Sequence, residues 1–221
     1  MADTPQRIFS RFLVLGEGAD ETLLFQSLLR HLGILDAQVE AYHGKDKLRA
    51  FLTALLKRPG ISNVTRLCIT RDADEQPIAE TFQSIGDALT ANGLPVPLAH
   101  DSISYPSGDL RVGVYLLPGE NRCGAFEDLC LDMIATDPAG SCVENFFQCL
   151  DKSGIARPNS SSMLAKAKVH AWLASREVAD LARMGLAAKE AYQYIRWEHP
   201  AFEPLKQFLR ELFAEPPISH E

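Results

Sequence analysis

FLVLGEGADE (12–21) and ITRDADEQ (69–76) are the two stretches that decide the fold. In each, a run of strand-forming residues is followed at once by acidic residues and then by a helical pattern. A third strand-like stretch, LRVGVYLLPG (110–119), leads through a short loop to the acidic pair Glu127 and Asp128. Strands that alternate with helices predict an α/β fold with a mainly parallel central sheet flanked by helices.

The periodicity of apolar residues divides the chain into two parts. Strands are predicted at 11–16, 38–43, 64–70 and 110–119, and helices at 19–33, 44–60, 76–93 and 125–135. After residue 140 the pattern is helical, over 143–154, 160–177, 188–197 and 202–215. We therefore predict an α/β core over residues 8–140 and a helical extension over 141–221 that packs on the same domain.

The composition is that of a soluble globular protein, with 46% hydrophobic and 23% charged residues among 221. The chain contains no apolar run near the roughly 20 residues that span a bilayer. Its first residues, MADTPQRIFSRF, lack the apolar core of a secretory signal. A cytoplasmic protein without membrane contact is the expectation.

The five cysteines form no CxxC pair. Cys123 and Cys130 are seven residues apart, as are Cys142 and Cys149, a spacing of two helical turns rather than of a zinc site. We expect reduced thiols that act as small core residues of helices.

The net charge of −7 argues against tight, autonomous binding of nucleic acid. Proteins that bind nucleic acid without sequence preference have basic surfaces, because most of the binding affinity comes from neutralising the charges of the phosphates. The chain also lacks an aromatic pattern for stacking bases.

Acidic residues follow three of the predicted strands directly or after a short loop. Because the carboxyl ends of parallel strands lie at one edge of a sheet, we expect Glu17, Asp72 and Asp74 to converge there, joined by Glu127 and Asp128. Carboxylates held this close repel one another unless a cation joins them, and oxygen-only ligands favour Mg²⁺ or Mn²⁺. The alternative is that each cluster is a solvated first turn of a helix, where the helix dipole favours acids.

The motifs carry a resemblance to a known fold. FLVLGEGADE, ITRDADEQ and LLPGENRCGAFEDL (116–129) resemble the successive motifs of the Toprim fold of topoisomerases, DnaG-type primases and nucleases of the overcoming-lysogenization-defect (OLD) class. The chain also resembles the DUF3226 family of small prokaryotic Toprim-like proteins. KAKVHAWLAS (166–175) and HPAFEPLKQFLREL (199–212) also look like that family, so the resemblance runs from about residue 11 to 213.

The resemblance implies roles for the acidic residues. The Toprim pattern implies that Glu17 is a general acid/base or a metal ligand and that Asp72 and Asp74 coordinate Mg²⁺. Glu127 and Asp128 match a further acidic position of OLD-type enzymes by their order alone. The chain departs from the common Val-Glu-Gly start, because a glycine precedes Glu17.

A site that acts on phosphates also needs basic residues. We favour Lys45, which follows a predicted strand, and Lys166, which lies in the family-like C-terminal motif, as catalytic residues. Arg71 and Arg122 are further candidates, and each of these four residues could instead be an ordinary surface charge.

The implied function is that of a Mg²⁺-dependent enzyme acting on nucleic-acid phosphodiesters, a nuclease of the OLD type. Because the chain has no GxxxxGK[ST] loop, we expect a separate ATPase subunit or self-association. The alternative is a non-catalytic Toprim-like module that binds a metal, or nothing, and regulates a partner. A haloacid dehalogenase-type phosphatase is disfavoured, because that family carries its Asp-x-Asp on the first strand.

Overall fold

Five strands form one sheet in a computed structural model that describes residues 7–105, 108–178, 185, 188 and 194–214. Their order across the sheet is β2-β1-β3-β5-β4, and all neighbours pair in parallel except the edge strand β4. The carboxyl ends of β1, β3 and β5 therefore lie side by side, which confirms the predicted α/β class. The strands are β1 Phe12–Gly16, β2 Ala37–Ala41, β3 Arg66–Asp72, β4 Ser102–Ile103 and β5 Arg111–Leu117.

Seven helices, numbered here in chain order, have bounds that the structure describes. No helix among the described residues is long and apolar enough to cross a bilayer. The helices are α1 Ala19–His31, α2 Leu48–Leu55, α3 Ile78–Ala91, α4 Phe126–Ile134, α5 Gly140–Lys152, α6 Ser161–Ala174 and α7 Glu203–Phe213.

Both faces of the sheet are covered by helices, as the near-continuous apolar strands require. Because strand side chains alternate between faces, Leu13 and Ile69 pack with α2 and α3 on one face. Val14 and Cys68 pack on the other face, in a cluster to which α1 and α4 through α7 contribute. The C-terminal helix α7 lies directly on β5, since a Cβ atom at Gly113 would come within 2.7 Å of Phe208 Cζ.

Two predicted helices differ from the structure. The segment 44–60 begins as a three-residue 3₁₀ helix, Lys45–Lys47, and its α-helix ends at Leu55. Gly44, at a φ of 115°, has a left-handed conformation that no helix continues through. In the segment 188–197, residues 189–193 lie outside the described residues and 194–197 are not helical. The division of the chain near residue 140 remains a prediction.

The cysteines are all free thiols, but most are not core residues. Cys68 on β3 and Cys130 on α4 are buried. Cys123, Cys142 and Cys149 are exposed, so the interpretation of the seven-residue pairs as core positions is right for Cys130 alone. Cys123 precedes α4 and is not on a helix, whereas Cys142 and Cys149 share a face of α5 that is exposed.

Candidate acidic site at the carboxyl edge of the sheet

A cavity of about 470 Å³ opens at the carboxyl edge of the sheet. Its walls come from the end of β1, the first turns of α1, the end of β3, the start of α4 and one face of α6. Four of the predicted site residues line it, and Asp74, Asp128 and Lys45 do not. The lining residues are Glu17, Gly18, Asp20, Glu21, Leu24, Asp72, Phe126, Glu127, Lys166 and His170.

Glu17 and Glu21 form the β1 side of the cavity. The backbone N–H of Glu17 donates to Glu21 Oε2 over 2.6 Å. Gly16 makes this contact possible, because a Cβ atom there would lie 2.9 Å from Glu21 Oε2. The glycine that precedes Glu17 therefore makes room for a second carboxylate. Burial raises the pKa of Glu21 well above its usual range, and the nearby Asp72 carboxylate adds to this.

Glu21 was not among the predicted site residues, although two signals pointed to it. It lies four residues after Glu17, a spacing at which the side chain on the first helical turn can reach back to the strand end. The glycine at position 16 was the second signal.

Asp72 is the last residue of β3 and lies at the centre of the site. Its Oδ1 accepts a hydrogen bond of 3.1 Å from the backbone N–H of Phe126, the first residue of α4. Burial raises the pKa of Asp72 to about 8, and the carboxylates of Glu127, Asp74 and Glu17 act in the same direction. The hydrogen bond from α4 opposes this shift without cancelling it.

Asp74 holds two loops together through its backbone. Its N–H donates to Gly124 O over 2.7 Å, and the N–H of Ala73 donates to Leu117 O over 2.9 Å. These bonds pin the loop after β3 to the loop between β5 and α4, and Asp74 takes a left-handed φ of 53°. The carboxylate of Asp74 is near enough to raise the pKa of both Asp72 and Glu17, although it does not line the cavity.

Glu127 and Lys166 form an ion pair within the lining of the cavity. Glu127 Oε1 lies 3.5 Å from Lys166 Nζ, with 13% of the glutamate side chain and 46% of the lysine side chain exposed. Burial opposes the charge of Lys166, but the carboxylates of Glu127, Asp72 and Asp74 outweigh it and raise the pKa of the ammonium group.

Helix α6, which carries Lys166, is tied to the site at its first turn. Glu75 Oε1 accepts a hydrogen bond of 3.0 Å from the backbone N–H of Ser161. Ser160 Oγ accepts a further bond from Met163 N, so the N-terminus of α6 is capped from two sides. The acidic loop after β3 therefore helps to fix the helix that supplies the lysine.

Asp128 has a local role in α4. Its Oδ2 accepts a hydrogen bond of 2.8 Å from the backbone N–H of Ala125, which precedes the helix. Gly124 allows the approach, because a Cβ atom at that position would collide with the Asp128 carboxylate. The structure thus places Asp128 beside the cavity as a helix cap, apart from Glu127.

The other three basic candidates, Arg71, Lys45 and Arg122, do not line the cavity. Burial raises the pKa of Glu17, and the guanidinium of Arg71 opposes that shift most strongly. Arg71 itself is buried and donates to Ser84 Oγ over 3.3 Å. Lys45 gives Glu17 a backbone hydrogen bond, while the residue lines a separate cavity of about 330 Å³. Arg122 is paired with Asp132 at 2.9 Å.

His170 also lines the cavity and, like Asp20 and Glu21, was not among the predicted site residues. It is exposed on α6, four residues after Lys166, and both residues line the cavity. The i, i+4 spacing puts two side chains on one helix face, so the face that carries Lys166 predicted this position.

The donor chemistry of the cavity suits a hard divalent cation. Glu17, Glu21, Asp72 and Glu127 offer carboxylate oxygens, which Mg²⁺ and Mn²⁺ prefer. Among the described residues, however, no three His, Cys, Asp or Glu side chains are already arranged to hold a metal ion. Glu21 and Asp72 each use an oxygen on a backbone N–H, and Glu127 faces an ammonium group. Binding a cation would require these side chains to turn.

Comparison with known proteins gives a family and two distant structural likenesses. Two solved structures of the C-terminal region of the Xanthomonas campestris pv. campestris OLD protein, phased with iodine and with mercury, are 14% and 13% identical to this chain. Each alignment covers 92% of this chain and 96% of the other, with a TM-score of 0.41. No curated protein matches. The profile described as protein of unknown function (DUF3226) matches residues 11–214, and the chain belongs to that family.

Proposed function

We propose that this chain is a Mg²⁺- or Mn²⁺-dependent enzyme of the Toprim type that cleaves nucleic-acid phosphodiesters. The observation that carries the proposal is the cavity in which Glu17, Glu21, Asp72 and Glu127 meet Lys166. Five carboxylates line this cavity when Asp20 is counted; they repel one another, and a divalent cation relieves that repulsion. The same repulsion, added to burial, raises the pKa of Asp72 to about 8.

Each residue has a role in the proposed reaction. Glu21, Asp72 and Glu127 would hold the ion, which supplies charge stabilisation at a phosphate oxygen. Glu17 takes the proton from the attacking water, because a carboxylate with a raised pKa is a stronger base. Lys166 leaves Glu127 and pairs with a non-bridging phosphate oxygen. Asp74 contributes negative charge and holds the loops in place.

The roles of Lys45 and Asp128 follow from their contacts. Lys45 orients the Glu17 carboxylate through its backbone N–H and places an ammonium group beside the site. Asp128 holds the first turn of α4, and thereby Glu127, through its bond to Ala125 N.

A cleavage assay tests the proposal. The purified chain is incubated with single- and double-stranded DNA and RNA oligonucleotides in Mg²⁺, Mn²⁺ or EDTA, beside Asp72→Asn. Asp36→Asn is the matched control, because Asp36 is exposed and lies outside the cavity. We expect metal-dependent cleavage that Asp72→Asn reduces by about 100-fold or more and Asp36→Asn does not change. Equal cleavage by all three proteins would contradict the proposal.

Because the net charge is −7, the proposal must also say where the basic residues that hold the substrate come from. A surface this acidic needs help to hold a phosphate backbone, so we propose that an ATPase subunit or a second copy supplies basic residues. Analytical ultracentrifugation with and without an oligonucleotide tests self-association. A monomer that binds the oligonucleotide as tightly as an assembly does would contradict it.

The second candidate is a non-catalytic interaction module. It is favoured by the absence, among the described residues, of a ready-made group of metal ligands, and by the ammonium of Lys166 already at Glu127. Isothermal titration with MnCl₂ separates the two candidates. Saturable binding that Asp72→Asn abolishes supports the enzyme, and no saturable binding supports the module.

A further inference from the structure

One face of α6 forms the basic part of the cavity lining and touches the acidic part through the contact of Lys166 with Glu127. Lys166 and His170 are one helical turn apart on that face, and both line the cavity. Lys168, between them in sequence, instead pairs with Glu144 at 2.6 Å. The face of α6 towards the cavity therefore presents an ammonium group and an imidazole.

His170 stands apart from the other described histidines. Within the described part of the chain its imidazole makes neither a hydrogen bond nor an ion pair, and the residue is exposed to solvent. The others are engaged or lie elsewhere: His31 near Glu198, His100 with Asn121, His199 with Ala201 N, and His43 at a different cavity. An unpaired imidazole at a cavity of carboxylates is available to a ligand.

The position of α6 suits a proton donor. Glu17 follows β1, whereas Lys166 contacts Glu127 on the β5 side, and Asp72 at the end of β3 lies between them. Two steps of about 4.8 Å across the sheet separate β1 from β5, roughly the span of a phosphate with its entering and leaving oxygens and one hydrogen bond to each of them. Cleavage of a phosphodiester needs a base on the side of the entering water and an acid on the side of the leaving oxygen.

We propose, resting on the function above, that His170 is a catalytic residue that protonates the leaving oxygen. The oxygen of a water molecule forms a bond to phosphorus as its proton passes to the Glu17 carboxylate. The bond from phosphorus to the leaving oxygen breaks, and its electron pair takes a proton from the His170 imidazolium. Glu17 then returns its proton to solvent and His170 takes one up, so atoms and charges balance over the cycle.

Substrates with different leaving groups test this role. An oligonucleotide loses an alkoxide, which needs a proton, whereas bis(p-nitrophenyl) phosphate loses a stable phenolate, which does not. We expect His170→Gln to slow oligonucleotide cleavage in Mn²⁺ by about 100-fold and cleavage of the nitrophenyl ester by less than about 3-fold. His31→Gln, on the exposed end of α1, is the matched control and should slow neither reaction. Unchanged thermal midpoints show that both variants are folded.

Any other result would overturn the role of His170, the proposed enzyme function, or both. Equal slowing of both substrates by His170→Gln assigns the residue a structural or binding role and overturns the proposal, as does no slowing of either. If the wild-type chain cleaves neither substrate with Mg²⁺ or Mn²⁺, the proposed enzyme function fails and the assignment fails with it. Cleavage by the wild type that is indifferent to His170 overturns only the assignment.

Discussion

Asp72→Asn should stabilise the metal-free protein at alkaline pH. The substitution keeps an oxygen to accept the hydrogen bond from Phe126 N but removes the ionisable group. Burial and the neighbouring carboxylates raise the pKa of Asp72 from an ordinary 3.8 to about 8. Below pH 4 the carboxyl is protonated in both the folded and the unfolded chain, so wild type and variant respond to pH alike.

Between pH 4 and pH 8 the unfolded chain releases the proton while the folded protein keeps it. The free energy of unfolding of the wild type then falls as pH rises, by about 1.4 kcal/mol per pH unit, towards a ceiling of roughly 6 kcal/mol. We expect about half of this ceiling, ~3 kcal/mol, because neighbouring carboxylates share the proton. Above pH 8 both states are ionised and the penalty stays constant.

Urea denaturation in EDTA at intervals from pH 5 to pH 9 measures the effect. The difference in free energy of unfolding between Asp72→Asn and wild type should grow with pH, whereas Asp36→Asn should follow the wild type throughout. Added MgCl₂ should raise the stability of the wild type more than that of Asp72→Asn, because binding to the folded state alone stabilises it. If the free energy of unfolding changed with pH in the same way for wild type and Asp72→Asn, the conclusion that the buried Asp72 carboxylate destabilises the folded protein would be refuted.

Two further substitutions test how the site is built. Asp128→Ala should lower the free energy of unfolding by about 1 kcal/mol, the usual cost of a lost N-cap contact. The Mn²⁺ affinity of the variant, measured by titration, should stay within about 3-fold of the wild-type value. A loss of saturable binding would instead make Asp128 a metal ligand. Gly16→Ala should cost about 1–3 kcal/mol in chemical denaturation, because its new methyl group meets the Glu21 side chain. The double variant Gly16→Ala/Glu21→Ala should recover only the part of that loss that comes from Glu21 Oε2, because the Cβ atom of residue 21 stays 3.0 Å from the new methyl group, and strictly additive effects would contradict the packing argument.

Much of the fold could be predicted from local pattern. Apolar runs such as FLVLG and RLCIT have few options other than buried strands, and the helices between them force parallel pairing. The strand order and the antiparallel edge strand Ser102–Ile103 could not be predicted in the same way. They depend on which strands meet across long stretches of chain, and a two-residue strand leaves almost no periodic signal.

Part of the candidate site could also be predicted, because parallel strands end at one edge of the sheet. The position of Glu17 and Asp72 at the ends of adjacent parallel strands follows from topology, and the structure brings both to one cavity. The separation of Glu127 from Asp128 follows from helix geometry, since neighbours in a first helical turn point in different directions, but which of the two faces the cavity depends on how α4 packs. Likewise, the sequence contains no information on which of two lysines, Lys45 or Lys166, turns its side chain into the cavity.

By itself the sequence determined the class of fold and the edge at which the acids gather, because the hydrophobic period is a local property and the helical connections make the strands parallel. Only the tertiary structure decided which side chains share the cavity. It added Glu21, admitted by the space at Gly16, and brought α6 across the sheet edge with Lys166 and His170. Those contacts join residues from distant parts of the chain, and packing between helices, which no local pattern records, sets their distances.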